Sequence, residues 1–477
     1  MSEGPVWDDV AAWLAGRAER TIETSCARIH LAGSVAWKIK RPVKLPFLDF
    51  STAAKRKWAL DRELAFNRRW ASDIYRAVRP IRREGTGFAL GGAGEAVEWL
   101  LEMRRFDPDA VLANHPQSVD GDLAETIGRM IARDHLAASI ARDGGGAAGI
   151  AYTAGTNEAA LRASSLDPDA VERLIEATAA AAERFGPLLE ARRAQGFGRP
   201  CHGDLHLGNI LMEAGVPVFF DCIEFNDRLS RIDVLYDAAF PIMDFAARGR
   251  AEPANRLLDA WLDEAARGFP AGQWEGLAAL PLFISIRAAV RAHVTAATGE
   301  AEMAGAYLAA ALEALHPPAP RLFAVGGLSG SGKTHFARRL APLVPNAPGA
   351  VVLRSDEIRL RLVGAGVHDP AADVAVYGEM FDLAGRVTAA GRSAILDATF
   401  LDPDTRVRAD RLGARGLWLD GDPAVLRQRL AARRGDASEA DGAVLDRQLA
   451  RDLGPVAWKR APITADLDAV ARDLIRM

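Results

Sequence analysis

Two residue clusters in this 477-residue chain have the types and spacing for phosphate chemistry, and they share no pattern. One is Gly327-Leu328-Ser329-Gly330-Ser331-Gly332-Lys333-Thr334. Glycines at that spacing let successive backbone N–H groups close around a phosphate at the N-terminus of the following helix. Lys333 then reaches the β- and γ-phosphates, and the Thr334 hydroxyl is a ligand for Mg²⁺. The other is His202-Gly203-Asp204-Leu205-His206-Leu207-Gly208-Asn209. Here Asp204 can accept or orient the proton of an attacking hydroxyl, and Asn209 can hold Mg²⁺ from the same loop. The stretches Ile210-Leu211-Met212 and 216–220 read as two strands about Glu213-Ala214-Gly215. That hairpin returns the chain so that Asp221 stands as a second metal-binding carboxylate.

Each cluster needs supporting groups. Upstream of Asp204, Val35-Ala36-Trp37-Lys38-Ile39-Lys40 reads as a strand, and alternation puts Ala36 and Lys38 on one face. A small residue there leaves room for adenine while the Lys38 ammonium reaches phosphates; Lys40 shares the face and competes for the role. Glu63, on the helix that follows, is placed to pair with Lys38. Downstream of Thr334, strands are expected over 349–353, 393–396 and 416–419, ending in Asp356, Asp397 and Asp420. Open α/β sheets bind ligands at the carboxyl ends of their strands. Asp356 is therefore the candidate to bind or deprotonate an acceptor hydroxyl, and Asp397 the candidate to support Mg²⁺. A helix from Pro423 carries Arg427, Arg429, Arg433 and Arg434; Arg429 or Arg433 is the better placed to neutralise a transferring phosphate from a closing lid.

The elements that must hold these groups fall into two blocks. His316-Pro317-Pro318-Ala319-Pro320 denies backbone donors and reads as a short stiff linker. Before it, 1–315 divides into a strand-rich small lobe over about 20–106, with a helix capped by Ser51 or Thr52, and a helical lobe over about 107–315. Gly144-Gly145-Gly146 reads as opening a loop to about 157. After the linker, 321–477 alternates strands and helices. The fold class expected is an α+β bilobal protein-kinase-like domain followed by an α/β P-loop NTPase domain with a mostly parallel sheet.

Bulk properties narrow the function. The net charge of −4 provides no overall electrostatic footprint for nucleic acid, and oligomeric state is not legible. The three cysteines have no metal-ligand or disulfide-framework spacing, which suits a reducing compartment. The acidic, aromatic start does not read as a secretory signal, and the apolar window 279–290, interrupted by Arg287, reads as a buried helix. A cytoplasmic enzyme without a membrane partner is the expectation.

The N-terminal half resembles the aminoglycoside-phosphotransferase-like branch of the kinase superfamily over roughly 20–315, with His-Gly-Asp in the catalytic loop and Asp221-Cys222-Ile223-Glu224 in place of Asp-Phe-Gly. The resemblance implies phosphorylation of a small-molecule hydroxyl with Asp204 as base and Asn209 and Asp221 on Mg²⁺. It also implies that Asp237 is a supporting, structural aspartate and that Glu98–Met103 forms the hinge meeting adenine. Two departures stand out: no Gly-rich phosphate loop precedes Lys38, where Ala32-Gly33-Ser34 is only a tight turn, and 41–46 is an insert atypical of aminoglycoside resistance enzymes. The C-terminal half resembles P-loop kinases related to gluconate kinase, chloramphenicol phosphotransferase, polynucleotide kinase and zeta toxin, through Arg354-Ser355-Asp356-Glu357-Ile358-Arg359 and Leu396-Asp397-Ala398-Thr399-Phe400-Leu401. Together they imply a bifunctional phosphotransferase using ATP and Mg²⁺ on small-molecule hydroxyls. The competing readings are one catalytic domain regulated by a nucleotide-binding partner domain, and a C-terminal half that phosphorylates polynucleotide ends.

Overall fold

Alternating apolar residues and turn glycines build the first sheet. A computed structural model describes residues 4–45, 48–364, 369–432 and 442–477. Helix α1 (Gly4–Ala15) precedes β1 (Arg20–Glu23), β2 (Ala27–Ala32) and β3 (Val35–Lys40). A short hairpin, β4 (Lys44–Leu45) and β5 (Leu48–Asp49), leads to α2 (Ala53–Asn67), where the Thr52 hydroxyl accepts the Lys55 N–H. Then come β6 (Tyr75–Glu84), β7 (Gly87–Leu90) and β8 (Ala96–Arg104), completing an antiparallel sheet in the order β1-β2-β3-β8-β6-β7.

The helical lobe follows with α3 (Gly121–Ala137), α4 (Gly146–Arg162), α5 (Pro168–Ala194) and β9 (Gly198–Pro200). The hairpin β10 (Ile210–Glu213) and β11 (Val216–Phe219) comes next, then α6 (Asp227–Ser230) and β12 (Arg231–Asp233). Helices α7 (Val234–Ala247), α8 (Ala251–Ala265), α9 (Gly272–Glu275), α10 (Leu280–Ala297) and α11 (Ala301–Ala314) complete it. Residues 272–297 are apolar and long enough to cross a membrane by length and composition, but 72% of their most apolar window is buried inside the protein. Arg287 on this stretch is buried too, with its guanidinium bonded to the backbone oxygens of Tyr236 and Gly203.

One local expectation is corrected here. The Gly144–Gly146 patch does not open a loop to 157, because Gly146 already begins α4. A Cβ at Gly144 would lie 2.6 Å from the Arg231 carbonyl oxygen, so the missing side chain permits close packing against β12.

The C-terminal half alternates strands with one or two helices: β13 (Leu322–Gly327), α12 (Lys333–Leu340), β14 (Val351–Arg354), α13 (Ser355–Leu362), α14 (Pro370–Ala389) and β15 (Ala394–Asp397). It continues with α15 (Pro403–Arg411), β16 (Arg415–Asp420), α16 (Pro423–Ala432), α17 (Gly442–Leu449), β17 (Lys459–Pro462) and α18 (Leu467–Arg476). Five parallel strands stand in the order β14-β15-β13-β16-β17.

The proline stretch does not separate two independent bodies. One buried apolar cluster runs from the helical lobe, with Leu257 and Trp261, into the second sheet, with Val351 and Leu353. Strand β14 is an edge strand, and α8 satisfies its outward backbone: Asn255 Nδ2 donates to the Ala350 carbonyl (2.8 Å) and Val352 N–H donates to Asp259 (3.2 Å). Further along α8, burial pushes the Asp263 carboxyl up to about 7, with Glu357 adding to the effect and Arg129 and Arg354 opposing it. The folded carboxyl thus holds its proton more tightly than the unfolded one. Its stabilising contribution is complete below the ordinary 3.8 and is lost as pH rises through about 7. Asp263→Asn, which stays neutral, is expected to melt above the wild type at about pH 8.5, with the gap closing towards about pH 4; thermal melts across that range check the sign.

Candidate active sites

In the N-terminal half the catalytic loop hangs between β9 and β10. Gly203 sits at φ +83°, and a Cβ there would come 2.7 Å from the Leu229 carbonyl oxygen, so only glycine fits. Asp237 fixes the loop from below by accepting the backbone N–H of His202 (3.3 Å) and of Gly203 (2.8 Å). His135 Nε2 lies 3.0 Å from the same carboxylate, and Trp261 Nε1–H donates to His135 Nδ1, so the imidazole donates to Asp237. Burial raises the Asp237 carboxyl, but the His135 hydrogen bond and the Arg287 charge outweigh it and hold the group at about 2. His202 Nε2–H reaches the Phe220 carbonyl (3.0 Å), tying the loop to the segment that presents Asp221; burial keeps this ring neutral, at about 4.

Asp204 projects from that loop. Asn209 Nδ2 donates to its carbonyl (2.8 Å) and to Oδ2 (3.1 Å), which leaves the amide oxygen of Asn209 as a possible metal ligand. Burial pushes the Asp204 carboxyl up to about 7 against the pull of Arg291 and Arg287. Asp221 is held at φ +59°, a region non-glycine residues seldom occupy, by its N–H donating to the Tyr75 hydroxyl (3.0 Å). Burial raises its carboxyl, yet Lys38 outweighs that and the group stays below the ordinary carboxylate range.

The two lysines of β3 divide their work. Lys38 Nζ bridges Glu63 Oε1 (2.7 Å) and Asp221 Oδ1 (2.7 Å), whereas Lys40 Nζ lies behind it between Glu63 Oε2 (2.6 Å) and Glu224 Oε1 (2.6 Å). Glu63 is wholly buried and serves both. The hinge expected at Glu98–Met103 is corrected: these residues are interior strand β8, hydrogen-bonded to β3 and β6, and the buried Glu98 pairs with Arg56. The strip joining the lobes begins after Arg104, where Arg105 N–H donates to the Ser34 carbonyl. The Gly33 turn is pinned on that side through Glu19 (3.0 Å), while the turn beside Lys40, Thr24-Ser25-Cys26 between β1 and β2, holds two hydroxyl residues and no glycine.

In the C-terminal half the loop from Leu328 to Gly332 joins β13 to α12. Gly330 sits at φ +83°, where a Cβ would lie 2.8 Å from the Leu426 carbonyl oxygen. Asp397 closes β15 directly beside Val325, and the Thr334 hydroxyl donates to its Oδ2 (2.7 Å). Burial pushes the Asp397 carboxyl up, with Arg354 and Lys333 opposing. This hydroxyl–carboxylate pair, with the Ser331 hydroxyl buried and unpartnered in the loop, fits Mg²⁺ beside bound phosphates. Lys333 Nζ donates to the Leu328 carbonyl (3.0 Å). Ser329, Gly330, Ser331, Gly332, Lys333, Asp356, Asp397 and Arg429 line one cavity of about 1540 Å³; Gly327 lies just outside it in β13. Arg429 Nη1 stands 3.7 Å from where a Gly332 Cβ would be. Arg433 and Arg434 lie outside the described residues.

Several site residues escape a reading by motif. Gln448 of α17 accepts the Ser329 N–H (2.8 Å) and donates to the Ser329 hydroxyl (2.9 Å), latching α17 onto the phosphate loop. His206 and Arg291 flank Asp204: His206 Nε2 is 3.7 Å from its Oδ2 and 3.5 Å from Arg291 Nη1. The signal for His206 was its place within the catalytic loop; Gln448 and Arg291 carried none. The lysine pair generates a test of role. Lys40→Met strands the buried Glu224 and leaves Glu63 to Lys38, and is expected to cost about 3–5 kcal/mol of stability. Lys38→Met instead leaves Glu63 paired with Lys40 and is expected to lose nucleotide turnover with a smaller fall in melting temperature. Denaturation and ADP-release measurements on the two variants separate the roles.

With this geometry in hand, the relatives can be compared. Residues 56–277 match the Phosphotransferase enzyme family, and residues 322–452 match an AAA domain family. The Mycobacterium tuberculosis protein Rv2004c is 31% identical over 451 residues, spanning 88% of this chain and 87% of its own length. Among solved structures, a gluconokinase from Sinorhizobium meliloti is 21% identical over 33% of this chain and 91% of its own (TM-score 0.26). A choline kinase from Cryptosporidium parvum is 10% identical over 65% of this chain and 95% of its own (TM-score 0.38). The alignment with the mycobacterial protein runs through both halves, and the chain belongs to that protein's family, a kinase whose phosphotransferase-family domain precedes an AAA-type ATP-binding domain.

Proposed function

We propose that the chain is a bifunctional ATP-dependent phosphotransferase, moving the γ-phosphoryl group to hydroxyls of small molecules at two separate sites. The observation that carries this reading is that each half assembles its own set: Lys38, Glu63, Asp204, Asn209 and Asp221 in one, Lys333, Thr334, Asp356 and Asp397 in the other. In the first site Asp204 takes the proton of the acceptor hydroxyl while Lys38 orients phosphates. In the second, Asp356 has the corresponding place at the start of α13 and Arg429 faces the phosphate loop. Asn209 and Asp221, and separately Thr334 and Asp397, would hold Mg²⁺, which would supply charge neutralisation at the transferring phosphate. Small metabolites fit the reading better than polynucleotides, given the net charge of −4. Three unpaired cysteines suit the reducing cytoplasm.

A second reading, in which the N-terminal half binds nucleotide without transferring, draws on the glycine-free turn Thr24–Cys26. Turnover against a metabolite panel, followed as ADP release and phosphate gain, distinguishes the two. Asp204→Ala is expected to lower the reaction with one set of acceptors by about 10²–10⁴-fold. Lys333→Ala is expected to lower the reaction with a different set, and the double variant to lose both. If Asp204→Ala leaves every reaction intact, the second reading replaces the first.

A further inference from the structure

The C-terminal site is connected to the N-terminal half by charged groups outside its phosphate loop. Arg354, the last residue of β14, is buried, with Nε 3.9 Å from Asp397 Oδ2 and Nη1 3.6 Å from Glu357 Oε1. Asp397 Oδ2 is the oxygen that takes the Thr334 hydroxyl. Glu357 is buried on α13, and its Oε1 accepts from Arg129 Nη2 at 2.9 Å. Arg129 belongs to α3 of the helical lobe, and Arg267 of the same lobe stands farther from Glu357, at 3.9 Å, and more exposed. Asp397, Arg354, Glu357 and Arg129 thus alternate in sign from the phosphate loop to the other half of the chain.

We propose that Arg129 and Glu357 are positioning residues for the C-terminal site: by neutralising Glu357 from across the domain boundary, Arg129 keeps the Arg354 guanidinium beside Asp397, the carboxylate that accepts the Thr334 hydroxyl and would hold the metal. The inference rests on reading Thr334 and Asp397 as the metal-holding pair. Its physical basis is competition between Glu357 and Asp397 for the Arg354 guanidinium, in a poorly screened interior where Asp263 also faces Arg129 and Arg354. Glu357 has a second cation in Arg129, so Arg354 is shared with Asp397. Without Arg129, Glu357 is left with the more exposed Arg267 at 3.9 Å and draws Arg354 towards itself and away from Asp397. Partners that orient a metal-binding group typically govern about 10–100-fold in metal affinity.

The competition also fixes the sign of a double substitution. Removing Arg129 alone should weaken metal binding, whereas replacing Glu357 by a neutral amide in the same chain removes the competitor and returns Arg354 to Asp397. An interface that merely held the domains together would be loosened further by the second change.

The test uses the full chain with AMP-PNP and Mn²⁺, bound metal being read from the loss of the free Mn²⁺ electron-spin-resonance signal. The component of uptake abolished by Thr334→Ala defines the C-terminal site. Arg129→Gln is expected to raise the Mn²⁺ concentration that half-saturates this component about tenfold while leaving metal-free AMP-PNP binding unchanged. Arg129→Lys should fall between Arg129→Gln and wild type, and Arg129→Gln with Glu357→Gln should return towards wild type. An unchanged half-saturation in Arg129→Gln, or a double variant weaker than the single, overturns the proposal. If Thr334→Ala removes no Mn²⁺ uptake, the metal-holding pair itself is wrong and the proposal falls with it.

Discussion

A parallel sheet of five strands ends in an edge whose outward N–H and C=O groups must be satisfied, and in this protein helix α8 satisfies them. Asn255 and Asp259, one helical turn apart, meet the Ala350 carbonyl and the Val352 N–H. Once α8 lies along β14, its partner α3 is carried against α12 and α13, where Glu125 meets Arg338 and Arg129 meets Glu357. The two halves then share one apolar core, and the prolines at 317–320 span a junction that is already packed. Most inter-domain contacts within a chain are polar and yielding; this one combines a continuous core with part-buried ion pairs, which favours a fixed relation between the halves.

Helix α3 links the two candidate sites. Its first turns carry Glu125 and Arg129 to the C-terminal half, and its last turn carries His135 to Asp237, which holds the backbone of His202 and Gly203. Arg129 and His135 are separated by only about 9 Å of helix axis. The charges along this route range from part-buried at Glu125 and Arg129 to fully buried at Asp237, and each faces an opposite charge or a set of N–H groups. The same rule governs the small lobe, where Glu63 is shared by Lys38 and Lys40, and Lys40 in turn neutralises Glu224. Lys38 is thereby held facing Asp221 by an arrangement whose other members do not touch the cleft.

Legibility followed how local the determining interactions were. The phosphate loop was readable because its glycines, lysine and threonine act within eight residues through their own backbone. The catalytic loop with its returning hairpin was readable for the same reason, and the strand–helix alternation of 321–477 announced its sheet. Gly144–Gly146 misled because glycine marks turns in isolation, while here its bareness admits Arg231 of a strand far along the chain. Glu98–Met103 reads locally as a hinge because nothing in the segment itself shows that both neighbours in the sheet, β3 and β6, use its backbone.

By itself the sequence determined the chemistry available: two sets of phosphate-handling groups, each carried on contiguous residues whose spacing is a property of short-range backbone geometry. Tertiary structure alone decided which lysine of β3 faces Asp221, that Gln448 latches the phosphate loop, and that Arg354 stands between Asp397 and Glu357. It also decided that the two halves are one body. These outcomes depend on groups distant in sequence meeting in a dry interior, where a charge must be paired and an edge strand must be bonded, and no local pattern encodes the partner.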